Sequence, residues 1–151
     1  MTEIDDVVQL IEFPDTDVLA TSLVYRLVGQ PAGVDVATQL PSPIPDRFIR
    51  CFTIVGNDAR SRRVTECRVI ARVYDTLDNE TRCSEVARRV SSALRAAPEI
   101  PGDSTNWISE PCQRQGPYPI QDPEVPNRSC FETIVTWTVH SDVTTINIGG
   151  Q

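Results

Sequence analysis

The chain has 151 residues, of which 40% are hydrophobic, so one domain can bury a sizeable core without disulfides or metals. Its net charge of -7 argues against a dedicated nucleic-acid-binding protein, whose usual footprint is basic. The sequence contains no secretory signal, lipid box or apolar run of transmembrane length. We therefore expect synthesis in a reducing cytoplasm and free thiols.

Charge is distributed unevenly along the chain. Residues 1–17 contain six acidic residues and no basic residue, whereas residues 47–72 contain seven arginines and two acidic residues. All 14 basic residues are arginine. Arginine suits interfaces because its planar guanidinium pairs with carboxylates and stacks on aromatic rings. A GC-rich genome is the alternative explanation for the missing lysines.

The first fourteen residues are predicted to form an N-terminal arm, whose apolar residues 7–11 make either a short strand or a flexible segment. A helix follows, with Asp15 as its N-cap. We expect Gly29 to end this helix as the C′ residue, with Pro31 enforcing the stop. The apolar stripe of the helix comprises Val18, Leu19, Leu23, Leu27 and Val28.

Two strands and a hairpin are expected next. Residues 34–40 alternate weakly and predict a short strand, and the proline-rich residues 41–46 predict a loop. Residues 48–55 are rich in aromatic and β-branched side chains, as is typical of strands. Residues 56–63 have the glycine, asparagine and aspartate of a hairpin tip. This tip carries the three tip arginines, Arg60, Arg62 and Arg63.

Residues 64–97 are the stretch around which the chain is organised. A twelve-residue strand with period two starts at Val64 and is long enough to overhang its own core. An amphipathic helix follows, and its apolar stripe should pack on the strand. We expect Val69, Val73, Val90 and Leu94 to contact one another. The helix stripe comprises Cys83, Val86, Ala87, Val90, Ala93, Leu94 and Ala97.

The C-terminal third is predicted to supply the remaining strands. Residues 106–114 form a strand broken by Pro111, residues 115–127 form an extended excursion with four prolines, and residues 131–140 alternate most clearly. The fold class is therefore α+β: a mixed or antiparallel sheet of about four to five strands, with two helices packed mainly on one face. The predicted organisation is an N-terminal arm (1–14), one domain (15–140) and a C-terminal tail (141–151).

No catalytic, metal or cofactor motif is recognisable. The single histidine, His140, follows a strand, and the five cysteines have no C-x-x-C spacing. A thiol hydrolase that uses His140 and a nucleic-acid-binding module remain alternatives. We expect no enzyme, no metal and no cofactor. Trp107 and Trp137 are expected to be core or interface aromatics.

The charged segments predict an assembly surface instead. The three tip arginines repel one another in a monomer and gain partners when carboxylates of a neighbouring copy approach. The alternative interpretations are a phosphate contact or a solvated turn for the arginines, and a cation site or a solvated arm for the acids. The acids proposed as their partners are Asp5, Asp6, Asp15 and Asp17.

Several short segments occur in an order that is typical of one family. They are the helix 18–28 followed by 34–41 ending in Leu-Pro, the strand 48–56 running into glycine, the strand 67–74, the helix with Glu85-Val86-Ala87, and Asp122-Pro123-Glu124 before Arg128. This order resembles the phage tail terminator family, also called the tail completion proteins of long-tailed phages. The resemblance covers about four fifths of the chain.

The resemblance implies a structural virion protein. Members form a hexameric ring at the head-proximal end of the tail tube, which ends tube polymerisation and joins the tail to the head. The implied partners are further copies of the chain, the tail tube protein and a head-completion or connector protein, with no membrane and no specific nucleic acid. The implied location is the virion neck, after assembly in the host cytoplasm. The alternative is another neck component, a head-completion or connector protein.

Overall fold

The computed structural model describes residues 7–56, 63–100 and 107–149. The fold is α+β, as the sequence predicts, with helices packed on a five-stranded sheet and a separate two-stranded sheet. In chain order the elements are β1 (Val7–Glu12), α1 (Thr16–Val24), α2 (Gln30–Ala32), β2 (Val36–Ala37), β3 (Phe48–Val55), β4 (Val64–Asp75), α3 (Glu80–Arg95), β5 (Ile108–Ile120), β6 (Ser129–His140) and β7 (Asp142–Asn147).

The larger sheet has the strand order β2-β3-β4-β6-β5 and is antiparallel except for the short parallel β2–β3 pair. Strand β4 pairs with β6 over its whole length, from Val64 opposite His140 to Asp75 opposite Ser129. The expected overhang of β4 beyond its own core is therefore wrong. Strand β6 has the same length and covers β4 from end to end.

The core lies between this sheet and α3. The four residues expected to pack together, Val69, Val73, Val90 and Leu94, all belong to one buried cluster. Trp137 is completely buried, and its indole Nε1–H donates to the Leu94 carbonyl oxygen over 2.8 Å. The predicted apolar stripe is confirmed, because every residue assigned to it is buried, although α3 ends at Arg95 and Ala97 lies in the turn that follows.

The first helix does not end at Gly29 as predicted. Instead, α1 runs through a π-helical turn, Tyr25–Gly29, into α2, and the stop is Gly33 in the left-handed region at φ 70°. Gly29 is needed for close packing, since a Cβ there would lie 2.6 Å from the Val34 carbonyl oxygen and 2.8 Å from Val36 Cγ2. Gly29 is therefore required by the close approach of the chain leading into β2 and does not mark the end of the helix.

The prolines after Pro111 do not interrupt the edge of the sheet in the way the sequence predicts. Strand β5 continues to Ile120, through residues that were expected to form an extended excursion. Its register against β6 shifts between Ser109 and Gln113, and again between Gln115 and Tyr118. Prolines are tolerated in edge strands and at such irregularities, because the missing N–H is not needed by a second neighbour.

The two ends of the chain pair with each other. Strand β1, from the predicted arm, lies antiparallel to β7, from the predicted tail, with Val7 opposite Asn147 and Glu12 opposite Asp142. Residues 7–12 of the arm thus form a strand, which was one of the two interpretations of residues 7–11. We call the β1–β7 pair the terminal ribbon.

Candidate assembly surface

The terminal ribbon exposes apolar side chains. Because side chains alternate along a strand, Val8 and Leu10 lie on the same face as Ile146, which is opposite Val8. Each of these three side chains is 39% exposed. A two-stranded sheet alone is marginally stable in water. An apolar face on such a sheet is therefore suited to being covered by another protein surface.

The same face carries two acidic residues at the end where β1 finishes and β7 begins. Glu12 and Asp142 are directly opposite each other, and both are exposed. Like charges opposite each other destabilise a strand pair. Within the described ranges neither carboxylate has an ion-pair partner, and Asp142 accepts only the neighbouring Val143 N–H. The free face of the ribbon therefore combines an apolar part and an uncompensated acidic part.

The opposite face of the ribbon, which carries Gln9 and the 46% exposed Val7, contacts Arg63 at the start of β4. Arg63 Nη2 donates to Gln9 Oε1 over 3.4 Å, and the Arg63 carbonyl accepts the Ser141 N–H over 2.9 Å. Ile54 and Val55, at the end of β3, are 52% and 53% exposed at this end of the molecule. Of the three tip arginines, Arg63 is exposed in the structure, whereas Arg60 and Arg62 lie outside the described residues.

The acids assigned to the assembly surface occupy several places. Asp15 caps α1, as predicted, by accepting the Val18 N–H over 3.2 Å. Asp17 Oδ1 accepts both the N–H and the hydroxyl of Thr53, each over 2.7 Å, and so fastens the start of α1 to β3. Asp5 and Asp6 lie outside the described residues. Asp15 and Asp17 therefore have roles within the chain, whatever else they contact.

The thiols are placed for packing. All five cysteines are free and buried. Burial raises the pKa of Cys51, Cys83 and Cys130 to about 12 each, and that of Cys67 to about 11. His140 is exposed, and no hydrogen bond joins it to a thiol within the residues that the structure covers. Because the thiolate is the nucleophile, this arrangement offers no support for a thiol hydrolase.

A polar network on the sheet face away from the helices is a feature that sequence reasoning missed. Tyr74 donates its hydroxyl to Asp122 over 2.6 Å, and Tyr118 donates to Glu132 over 2.6 Å. Arg72 joins the two halves, with Nε 2.8 Å from Glu132 and Nη1 3.7 Å from Asp122. Burial and the hydrogen bond to Asp122 raise the pKa of Tyr74. Each buried polar atom of the network thus has a partner, which makes it a structural clamp.

The Asp-Pro…Arg segment noted in the sequence also holds the fold together. Asp122 is the buried acceptor of this network, and Arg128 reaches the proline-rich loop 41–46. Its guanidinium donates to the Ile44 and Pro45 carbonyl oxygens, each over 3.2 Å. The segment therefore anchors a loop that cannot form ladder hydrogen bonds of its own.

A shallow groove of about 600 Å³ lies between the π-helical turn and α3. Its apolar lining comes from Leu27, Val28 and Ala93. Arg88 and Arg89 also line it, and among the described residues the guanidinium of Arg89 has no partner, while that of Arg88 donates only to Ser84. The remaining lining residues are Glu85 and Ser92. The sequence signal for this groove was the adjacent pair of arginines on the polar side of α3, which the sequence analysis left unassigned.

The described part of the chain also lacks two features that would point to other functions. It contains no group of three or more histidine, cysteine, aspartate or glutamate side chains arranged to hold a metal ion. None of its helices is long and apolar enough to cross a membrane.

Comparison with known proteins assigns no family. No protein-family model matches the chain, and no curated protein matches it. The observations that bear on function are therefore the fold, the terminal ribbon, the groove and the resemblance noted in the sequence.

Proposed function

We propose that this protein is a structural subunit of a phage virion. It forms a ring at the head-proximal end of the tail tube, ends tube polymerisation and joins the tail to the head. In this role it is not an enzyme and uses no metal or cofactor.

The terminal ribbon is the single observation that carries the proposal. It is built from both ends of the chain and leaves the side chains of Val8, Leu10 and Ile146 accessible to solvent. The conformational entropy cost of ordering such a ribbon is offset when a second surface covers its apolar face. Assembly provides that surface, whereas a monomeric enzyme would gain nothing from it.

The resemblance selects the kind of assembly. The order of the helix 18–28, the strands 48–56 and 67–74, and the segment 122–128 is that of tail terminator proteins. The fold agrees with what this order leads one to expect, namely an α+β sheet with helices mainly on one face. The partners proposed are five further copies of the chain, the tail tube protein and a head-completion or connector protein, in the neck of the virion.

Loss of the protein from the encoding phage tests this function. An amber mutation in its gene, propagated on a suppressor strain and then shifted to a non-suppressor host, should give heads without tails and free tails of irregular length. Wild-type protein supplied from a plasmid should restore both tail length and titre. Electron microscopy of the lysates measures length and joining together.

The alternative neck role gives a different phenotype. A head-completion or connector protein acts on the head, so its loss should leave free tails of uniform, normal length beside defective heads. Tails of normal length would therefore contradict the proposed terminator function and favour the alternative. Normal, infectious particles in the absence of the protein would contradict both.

A further inference from the structure

The geometry points to a specific contact between copies: the free face of the terminal ribbon docks into the groove between the π-helical turn and α3 of a second copy. The inference deepens the proposed function, on which it rests, by naming the two surfaces that join neighbouring subunits.

The ribbon supplies an apolar and acidic face. Val8, Leu10 and Ile146 stand on it above the paired acids Glu12 and Asp142. These two carboxylates are directly opposite each other, and among the described residues neither belongs to an ion pair. The nearby Arg63 contacts Gln9, whose side chain belongs to the other face of the ribbon. A partner for the free face should therefore present apolar side chains beside two positive charges.

The groove presents that combination. Leu27, Val28 and Ala93 supply its apolar surface, and the neighbouring Arg88 and Arg89 supply the charge. Arg82, by contrast, lies on the same helix but is already engaged by Asp75 through contacts of 2.6 and 2.7 Å. Glu85 also lines the groove, so the lining has a net charge of +1, opposite in sign to the acidic pair on the ribbon. Charge-assisted hydrogen bonds from two guanidinium groups to Glu12 and Asp142 would fix the register of docking.

The two surfaces are built from different parts of one chain. At its start the first helix is fastened to Thr53 of β3 by Asp17, and at its end Gly29 approaches Val36, which pairs with Ile49. The Leu27–Val28 side of the groove therefore lies toward the Ile49 end of β3, whereas the ribbon joins the body next to Arg63, beside the other end. Because the ribbon and the groove are different surfaces, we infer that their docking between copies is heterologous. A heterologous contact of this kind closes into a ring when its rotation permits.

Site-directed cross-linking of the full-length protein tests the contact. Leu10→Cys places a thiol on the free face of the ribbon, and Ser92→Cys places one in the groove. The five native cysteines are buried and should contribute little background. The two variants are purified separately, one with an affinity tag, mixed, and treated with a short bismaleimide. We expect a covalent dimer containing one tagged and one untagged chain.

A matched control and a charge exchange sharpen the test. Glu66→Cys, exposed on the sheet face away from the helices, should give no dimer with Leu10→Cys above the level of random collision. Reversing Arg88 and Arg89 to glutamate in the Ser92→Cys variant should lower the dimer yield about tenfold, which corresponds to about 1.4 kcal/mol. Changing Glu12 and Asp142 to arginine in the Leu10→Cys partner should restore the yield.

Two results would overturn the inference. One is a Ser92→Cys yield no higher than that of Glu66→Cys, and the other is preferential dimerisation of Leu10→Cys with itself, which would mean that ribbon pairs with ribbon. Neither result affects the tail phenotype of the amber mutant. Irregular tails without the cross-link would leave the terminator function standing and remove this contact, whereas the cross-link with normal tails would retain the contact and remove the terminator function.

Discussion

Truncating Leu94 to alanine should destabilise the protein strongly through lost packing alone. Leu94 is 0% exposed and belongs to the same cluster as Val69, Val73 and Val90. Its backbone carbonyl accepts the Trp137 indole N–H, and this hydrogen bond survives the substitution because no backbone atom changes. The cost is therefore the transfer of the removed carbons plus the cavity they leave.

The structure places this cost in the middle of the known range. Leucine-to-alanine changes in cores cost about 2–5 kcal/mol, depending on how far the surroundings collapse. Beneath Leu94 the sheet is held by the β4–β6 pairing over twelve residue pairs, which limits collapse, so we expect about 3–4 kcal/mol. For a chain of this size that corresponds to a fall in Tm of about 6–16 °C.

Leu77→Ala is the matched control for this measurement. Leu77 is 65% exposed, so the same chemical change there should alter stability by no more than about 0.5 kcal/mol. Urea unfolding followed by circular dichroism and by tryptophan fluorescence measures both variants. A Leu94→Ala midpoint equal to that of Leu77→Ala would refute the packing of α3 on the sheet.

Three other perturbations have defined outcomes. Gly29→Ala should lower the free energy of unfolding by about 1–3 kcal/mol through overpacking, because the new Cβ would lie 2.6 Å from the Val34 carbonyl oxygen. Urea unfolding measures this change, and an unchanged midpoint would contradict the close approach. Burial raises the pKa of the Asp75 carboxyl, but hydrogen bonds from Arg82 and Thr76 outweigh burial and hold it below its usual range. The stability that Asp75 contributes is therefore present above the ordinary carboxyl pKa of about 3.9 and is lost as pH falls through the lower pKa of the folded state. Asp75→Asn should accordingly make the free energy of unfolding less dependent on pH at the acid end of the range. Replacing the three tip arginines by serine should leave the Tm nearly unchanged yet give irregular or unjoined tails, and a wild-type titre in complementation would show that the tip is an ordinary solvated loop.

The elements with a clear period were predictable from sequence. Strand β3 begins and ends where the aromatic and β-branched run does, and every apolar position assigned to the stripe of α3 is buried. These predictions succeeded because burial of one face is encoded locally, in residue spacing. The predicted helix end at Gly29 was wrong because the role of this glycine depends on a distant contact. A glycine can end a helix, but it is also required where another part of the backbone comes close.

The surfaces proposed for assembly depend on contacts between distant parts of the chain. The pairing of β1 with β7 joins residues at the two ends of the sequence, and the groove forms only when the π-helical turn meets α3. The opposition of Glu12 and Asp142 likewise exists only in that register. Composition suggested that acids and arginines would meet across an interface, but it gave no reason to propose Arg88 and Arg89 in addition to the tip arginines.

A reconstruction of a virion neck that contains this protein tests the proposed terminator function. It should show a ring of six copies of the chain seated on the last ring of tail tube subunits, with the other surface of the ring against the head-completion or connector proteins. Density for the chain elsewhere in the virion, a neck ring with other than six copies, or a ring that does not touch the tail tube would contradict it.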